Sequence, residues 1–249
     1  MTLHPLAAQF AGVADAYERG RPEYAPAVVG AITSELGVGP DGRVLDLAAG
    51  TGKLTRALVH AGLDVVAVEP QAALRELLVA GVGAERVREG IAESIPIEDR
   101  SVQAVTVADA FHWFDPVRAL AEIRRVLEPG GGLAVLTAGH DWREASWAHD
   151  VGELLSGLRP EHPHFDGPPW QDAVRAAGGW SEPREILVRT AAPATPETFV
   201  DYLASLSWIA ALPEGGRGAL LDRARAIITA GHTPPEMRVN VVIGVSSLA

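Results

Sequence analysis

The residues with the clearest chemical purpose stand in one run, Val44-Leu45-Asp46-Leu47-Ala48-Ala49-Gly50-Thr51-Gly52-Lys53-Leu54-Thr55. A short apolar stretch carries an acid near its end, turns on small residues and enters a helical pattern. Gly50 and Gly52 put no side chain between the backbone and a ligand, and the free N–H groups of a helix start face outward. This suits the binding of a nucleotide-like cofactor at the carboxyl edge of a parallel sheet. A second acid, Glu69, ends the apolar run 65–68 and precedes Pro70. A carboxylate there can accept both hydroxyls of a ribose. Gly90-Ile91-Ala92-Glu93 and Asp109-Ala110-Phe111-His112-Trp113-Phe114-Asp115 follow the next two apolar runs, where the rest of such a ligand would lie.

Three cofactor classes compete for the glycine loop. A phosphate-binding loop needs Gly-x-x-x-x-Gly-Lys-Ser/Thr, but Leu47 stands at the first glycine and Leu54 at the hydroxyl position. A dinucleotide fingerprint needs a third glycine or alanine, where this chain has Thr55. The loop for S-adenosyl-L-methionine is acid-x-Gly-x-Gly-x-Gly, and Asp46, Gly50 and Gly52 match it with Ala48 in place of the first glycine. Asp46 decides for this cofactor. A carboxylate there suits a ligand carrying an amino acid, and it would repel a pyrophosphate.

These residues need a scaffold, and the surrounding pattern supplies one. Strands are predicted over 43–47, 64–68, 85–89, 102–108 and 133–137, with helices over 6–20, 25–36, 53–61, 71–80 and 116–127. The helix over 116–127 stops at a turn, 129–132. Such alternation means βαβ units, a mostly parallel sheet and helices on both faces. After Thr137 the rhythm changes. Residues 142–182 hold Trp142, Trp147, Trp170 and Trp180 and a loop rich in proline and histidine. A strand is predicted over 185–190 and another over 237–245. Residues 196–230 read as helical, with Phe199, Tyr202, Leu203, Leu206 and Ile209 on one face.

The ordered set of motifs resembles the class I methyltransferase superfamily, in its small-molecule branch. Phe111-His112-Trp113-Phe114-Asp115 and Tyr17-Glu18-Arg19-Gly20-Arg21-Pro22 look like those of trans-aconitate methyltransferases and related bacterial enzymes. The resemblance covers roughly residues 8–137. It implies a doubly wound, seven-stranded α/β sheet of Rossmann-like type, its last strand antiparallel, with a helical substrate cap. It implies one domain over 1–249: N-terminal helices over the cofactor (1–40), a binding core (41–137) and cap elements (138–182 and 191–235). It further implies that Glu69 holds the ribose. The loop Ala48, Ala49, Gly50, Gly52 would hold the methionine part, and the turn at Ala92 and Glu93 would cover the adenine. Pro70, Asp109, Ala110 and Trp113 would line the same cofactor, with Tyr17 and Arg21 closing over it. Ile91 departs from the family, where an acid is common; Glu93 or backbone must substitute.

His112 and His140 are the candidate catalytic residues, since both follow strand ends on the active edge. Asp141 beside His140 invites a paired reading, although neighbours in sequence often point apart. His162 and His164 read as a solvated loop, and no metal-ligand spacing is present. The net charge of −11 argues against a nucleic-acid partner. No cysteine is present, which removes thiolate and disulfide chemistry, and no run reaches the ~20 apolar residues of a membrane span. The expectation is a cytoplasmic methyltransferase acting on a small organic acceptor, at oxygen first. Two alternatives remain: an NAD(P)-dependent oxidoreductase, and a non-catalytic protein that only binds S-adenosylmethionine. No tyrosine has a lysine four residues on, which removes one common oxidoreductase site.

Overall fold

The computed structural model describes residues 3–249, which form two compact units. The first holds the chain up to Pro22, Gly139–Phe165 and Arg189–Asn240; the second holds Glu23–Ala138, Asp166–Val188 and Val241–Ala249. The strands are β1 (Arg43–Leu47), β2 (Asp64–Val68), β3 (Val87–Arg88), β4 (Val102–Ala108), β5 (Leu127–His140), β6 (Arg184–Pro193) and β7 (Glu236–Ser247). The α-helices run from α1 (Ala14–Gly20), α2 (Pro26–Leu36), α3 (Lys53–His60) and α4 (Ala72–Val82) to α5 (Pro116–Val126) and α6 (Ala148–Leu155). After them come α7 (Pro163–Asp166), α8 (Trp170–Ala177), α9 (Pro196–Ala204), α10 (Ser207–Ala210) and α11 (Glu214–Ala230).

The strands are hydrogen-bonded in the order β3-β2-β1-β4-β5-β7-β6. β1 to β5 pair in parallel. Their strands are near-continuous apolar runs because helices cover both faces. Leu45, Leu47, Val66, Val68, Val105, Val107 and Leu133 are buried in one cluster with Leu120 and Ile123 of α5. β1 and β2 leave the sheet together, Leu47 opposite Val68, so the loop after β1 and the turn after β2 are neighbours. Asp46 sits opposite Thr106 of β4. The order reverses between β1 and β4, which is where doubly wound sheets bind ligands. β7 is antiparallel to β5: the Leu248 N–H reaches the Gly131 carbonyl while the Asp141 N–H reaches that of Arg238.

The run Pro129–Gly132, read from sequence as a turn before a strand, lies inside β5. Leu127 pairs with Val102 and Gly132 with Ala104, so the extra residues form a bulge. A Cβ at Gly131 would stand 2.7 Å from the Gln103 carbonyl, which explains the glycine. Other elements also depart from the sequence reading. The strand over 85–89 shrinks to Val87–Arg88. Residues 6–20 are a 3-10 turn, Ala7–Val13, followed by α1. The helical region 196–230 is three helices, with α9 ending at the turn around Ser205.

In the first unit α1 lies against α9. A Cβ at Gly20 would fall 2.2 Å from the Tyr202 backbone nitrogen, so this approach requires glycine. Trp147, Phe199, Val200, Leu203, Trp208 and Ile209 form its buried cluster with residues of α11. Of the face read along 196–230, Phe199, Leu203 and Ile209 are therefore core, while Tyr202 and Leu206 pack against it partly buried. In the second unit Trp170 of α8 packs on Gly244 of β7, where a Cβ would meet the indole at 2.2 Å.

Candidate functional site: the glycine loop and the acids beneath it

The loop after β1 is held from several sides. The Ala49 N–H donates to the Val68 carbonyl at 3.1 Å, and the Gly52 N–H closes a turn on Ala49 at 3.0 Å. Gly50 and Gly52 have φ of 59° and 89°, and Ala48 takes the same left-handed region at 57°. That conformation costs an alanine about 1 kcal/mol. A Cβ at Gly52 would also strike Leu78 at 2.6 Å.

Two buried acids govern this loop. Glu69 is 3% exposed. Its carboxylate accepts the Gly50 N–H at 2.9 Å and the Gln71 N–H at 2.8 Å, tying the two turns together. Burial pushes its pKa up to about 7, against the pull of those N–H donors and of Arg75. Arg75 in turn clamps the Glu69 and Pro70 carbonyls, each at 2.9 Å. Asp46 lies deeper, 1% exposed. It accepts the Thr55 hydroxyl at 2.6 Å and the Thr106 hydroxyl at 3.1 Å. Burial raises its pKa to about 6, opposed by those two hydroxyls. Its oxygens thus face the protein, and the acid acts as a post joining β1, α3 and β4.

The later turns carry the other candidates. Ala92 is buried in the sheet core, and Glu93 accepts the Asp115 N–H at 2.8 Å, so one of its oxygens is already used. Asp115 caps α5 through the N–H groups of Val117 and Arg118. Asp109 has φ of 50°, and its N–H donates to the Leu136 carbonyl at 2.9 Å. Ala110 is buried beside it, and Trp113 packs partly against the same core with His112 at 4.4 Å between rings.

Tyr17, Arg21 and His140 meet in the first unit. The Arg21 guanidinium lies 5.2 Å from the Tyr17 ring and 4.9 Å from the Tyr202 ring, and donates to the Ser205 hydroxyl at 3.2 Å. His140 stacks edge-on to Phe199 at 5.1 Å and Tyr202 at 6.1 Å. It is 9% exposed, and neither ring nitrogen makes a full hydrogen bond among the described residues. Burial lowers its pKa, aided by the Arg21 charge and opposed by the Gly20 backbone. Asp141 does not pair with it: Arg143 takes both Asp141 oxygens, at 2.7 and 3.0 Å. His162, read as part of a solvated loop, is instead 5% exposed. Its Nδ1 accepts the His164 N–H, so Nε2 donates to Ser207 at 3.0 Å. No cluster that could hold a metal occurs among the described residues.

Residues 45–135 match the methyltransferase domain family. An uncharacterized methyltransferase of Mycobacterium bovis is 38% identical over 223 residues, which is 90% of this chain and 86% of that protein. The chain belongs to the class I S-adenosylmethionine-dependent methyltransferases. A demethylmenaquinone methyltransferase of Renibacterium salmoninarum is 37% identical over 115 residues, covering 44% of this methyltransferase and 46% of that one. A solved Anabaena variabilis structure, described as a methyltransferase from an antibiotic biosynthesis pathway, covers 90% of this chain and 98% of its own. It superposes with a TM-score of 0.59 at 21% identity, a likeness of fold.

S-adenosylmethionine is the cofactor of this methyltransferase, and the loop fits it. A Cβ placed on Gly50 meets nothing within 4 Å, so open space lies over that residue. Thr51 is 1% exposed and its hydroxyl has no partner among the described residues, leaving a polar atom to be satisfied. No phosphate-binding side chain is needed for such a ligand.

Several supporting residues had no local signal in the sequence. Thr106 reaches Asp46 from 60 positions away. Arg125 holds the Ile95 and Ile97 carbonyls at 2.7 and 2.9 Å, and Glu122 accepts the Ile95 N–H at 2.8 Å. Together they fasten the segment after Glu93. The Glu122–Arg125 spacing on a helix was the one available clue.

Proposed function

We propose that this methyltransferase methylates a hydroxyl oxygen of a small organic acceptor, and that His140 takes the proton. The observation that carries the reading is a buried imidazole neither of whose nitrogens has a hydrogen-bond partner among the described residues, with burial favouring its neutral form. A neutral imidazole is a proton acceptor, and a hydroxyl nucleophile needs one whereas a carboxylate does not. A net charge of −11 favours a small acceptor over a nucleic acid. The partly buried Tyr202 ring beside His140 favours one with apolar surface.

The cofactor supplies an electrophilic methyl on a sulfonium. On the chain's side, Glu69 is proposed to accept the ribose hydroxyls through the lone pairs left after Gly50 and Gln71. The backbone of Ala48, Ala49, Gly50 and Gly52 is proposed to line the methionine part. Ala92, Glu93, Pro70, Asp109, Ala110 and Trp113 are proposed to border the adenine side. Asp46 contributes by fixing β1 to α3 and β4 beneath the loop. Alignment and exclusion of water are the main catalytic contributions of such a site.

A second reading, methylation at carbon, draws on the partial likeness to the demethylmenaquinone methyltransferase. Incubation with methyl-labelled cofactor and a panel of phenols, alcohols, carboxylic acids and quinols separates the two, because the product's methyl group is bonded to oxygen or to carbon. A methyl ether made by the parent and lost in His140→Phe supports the proposal. A carbon-methylated product overturns it.

A further inference from the structure

β6 ends the sheet and is hydrogen-bonded to β7 alone. Its two flanks show the direction of that pairing: the Ser181 N–H donates to the Ser247 carbonyl at 2.8 Å and the Ala194 N–H to that of Pro235 at 2.9 Å. The other side of β6 is an open edge. Among the described residues no side chain or loop bonds the main chain of 184–192. The opposite edge of the sheet, β3, is two residues long, and its shortness guards it. β6 is ten residues long. Between Arg184 and Ala192 it carries neither proline nor lysine, the residues that commonly guard a long edge.

The side chains of β6 alternate. Glu185, Leu187, Arg189 and Ala191 are exposed, and Ile186, Val188, Thr190 and Ala192 are half-buried. Leu187, at 46% exposure, is a large apolar residue left in water. Glu185 stands two positions before it and Arg189 two positions after it, on the same face. One Glu185 oxygen accepts the Gln171 side-chain amide at 2.7 Å, which leaves the other available. Arg189 has no acid partner among the described residues. The strand therefore reads acid, apolar, base about a single residue, and such a pattern is complementary to its own reverse.

We infer that β6 pairs with β6 of a second copy of this chain, antiparallel and centred on Leu187, so that one sheet runs through both copies. Residues opposite each other in an antiparallel pair share a face, with Cβ atoms about 5 Å apart. Centred on Leu187, each Glu185 lies opposite the partner's Arg189, and Leu187 meets the partner's Leu187. Moving the centre by one residue sets Glu185 against the partner's Leu187 or the partner's Ala191, and both charge pairs are lost. The local charge favours this contact as well. The chain carries a net charge of −11 and so repels its own copy, whereas residues 184–190 hold two arginines and one acid. The contact is isologous and closes at two copies. A strand pair is a small interface, so the dimer is expected to dissociate in the micromolar range or above.

The test is sedimentation velocity of the whole chain over a series of concentrations. The parent is expected to dimerise. Glu185→Arg and Arg189→Glu each set like charges opposite one another twice per dimer, and each is expected to weaken association by about tenfold or more. The double variant restores opposite charges and is expected to return to within about threefold of the parent. Both positions are exposed, and thermal melting verifies that each variant is folded. Amide exchange of the parent at low and high concentration needs no variant: residues 184–190 should gain protection as concentration rises. A parent that stays monomeric up to about 1 mM overturns the inference. So does a dimer that neither single change weakens, or one that the double variant fails to restore.

Discussion

The Glu69 carboxylate accepts the Gly50 N–H at 2.9 Å, so the acid that ends β2 is also a strut of the loop that ends β1. Its pKa of about 7 has a consequence for binding. Ribose hydroxyls donate to the ionised form and lower that value, so a proton leaves as the ligand binds. Affinity for S-adenosylhomocysteine should rise as pH climbs through 6 to about 7 and level off above. Calorimetry in buffers of different ionisation enthalpy reads the released proton directly. Glu69→Gln should abolish the release and weaken binding by about tenfold or more. Unchanged affinity in that variant would remove Glu69 from the site.

Asp46 predicts a pH effect on stability rather than on binding. Its folded pKa of about 6 lies above the ordinary value of 3.8. Between those values the folded chain holds the proton more tightly than the unfolded one, so this group's contribution falls as pH rises through the window. Asp46→Asn should therefore gain on the parent from pH 4 to pH 7, by on the order of 2 kcal/mol. Denaturant unfolding at several pH values checks this, and parallel curves for the two proteins would refute it.

Ala48 occupies a left-handed conformation at φ 57°. Ala48→Gly removes that strain but adds freedom to the unfolded chain, so the net change should be a gain of less than about 1 kcal/mol. Ala48→Val should cost on the order of 2 kcal/mol, because a branched side chain tolerates positive φ poorly. A glycine variant that melts clearly below the parent would show that the loop is held by something other than its backbone conformation.

Arg125 bonds Glu122, Asp99 and the carbonyls of Ile95 and Ile97. Arg125→Met strips four acceptors at once and should destabilise by about 2–3 kcal/mol. Hydrogen exchange should quicken first in residues 93–99. Exchange that quickens evenly across the chain would deny this residue a local role.

His140→Phe should raise the melting temperature, since it removes two buried nitrogens that have no hydrogen-bond partner among the described residues and keeps the ring packed on Phe199. The expected gain is on the order of 1 kcal/mol. A variant less stable than the parent would mean that His140 is structural.

The strand–turn–helix course of the glycine loop was legible because its information is local. Strand, acid, glycines and helix lie within a dozen residues, and Glu69 repeats the geometry one βα unit later. What supports the loop was not legible. Thr106 meets Asp46 only through strand pairing, and Arg125 meets Ile95 only because α5 packs beside the 91–97 segment. The bulge at 128–131 escaped because proline and glycine mark turns and bulges alike. His162 was read as solvated from its proline-rich surroundings, yet its partner Ser207 lies 45 positions away.

Lys53, the first residue of α3, is the only lysine in the chain. Reagents that target side-chain amines find that one residue, and it is 6% exposed in an ion pair with Glu23. Amine-directed dyes, resins and cross-linkers will leave most of the surface unmarked. Where they do modify Lys53, they report that its contact with Glu23 has opened. Mapping this protein's neighbours calls for reagents aimed at its thirty-two carboxylates instead.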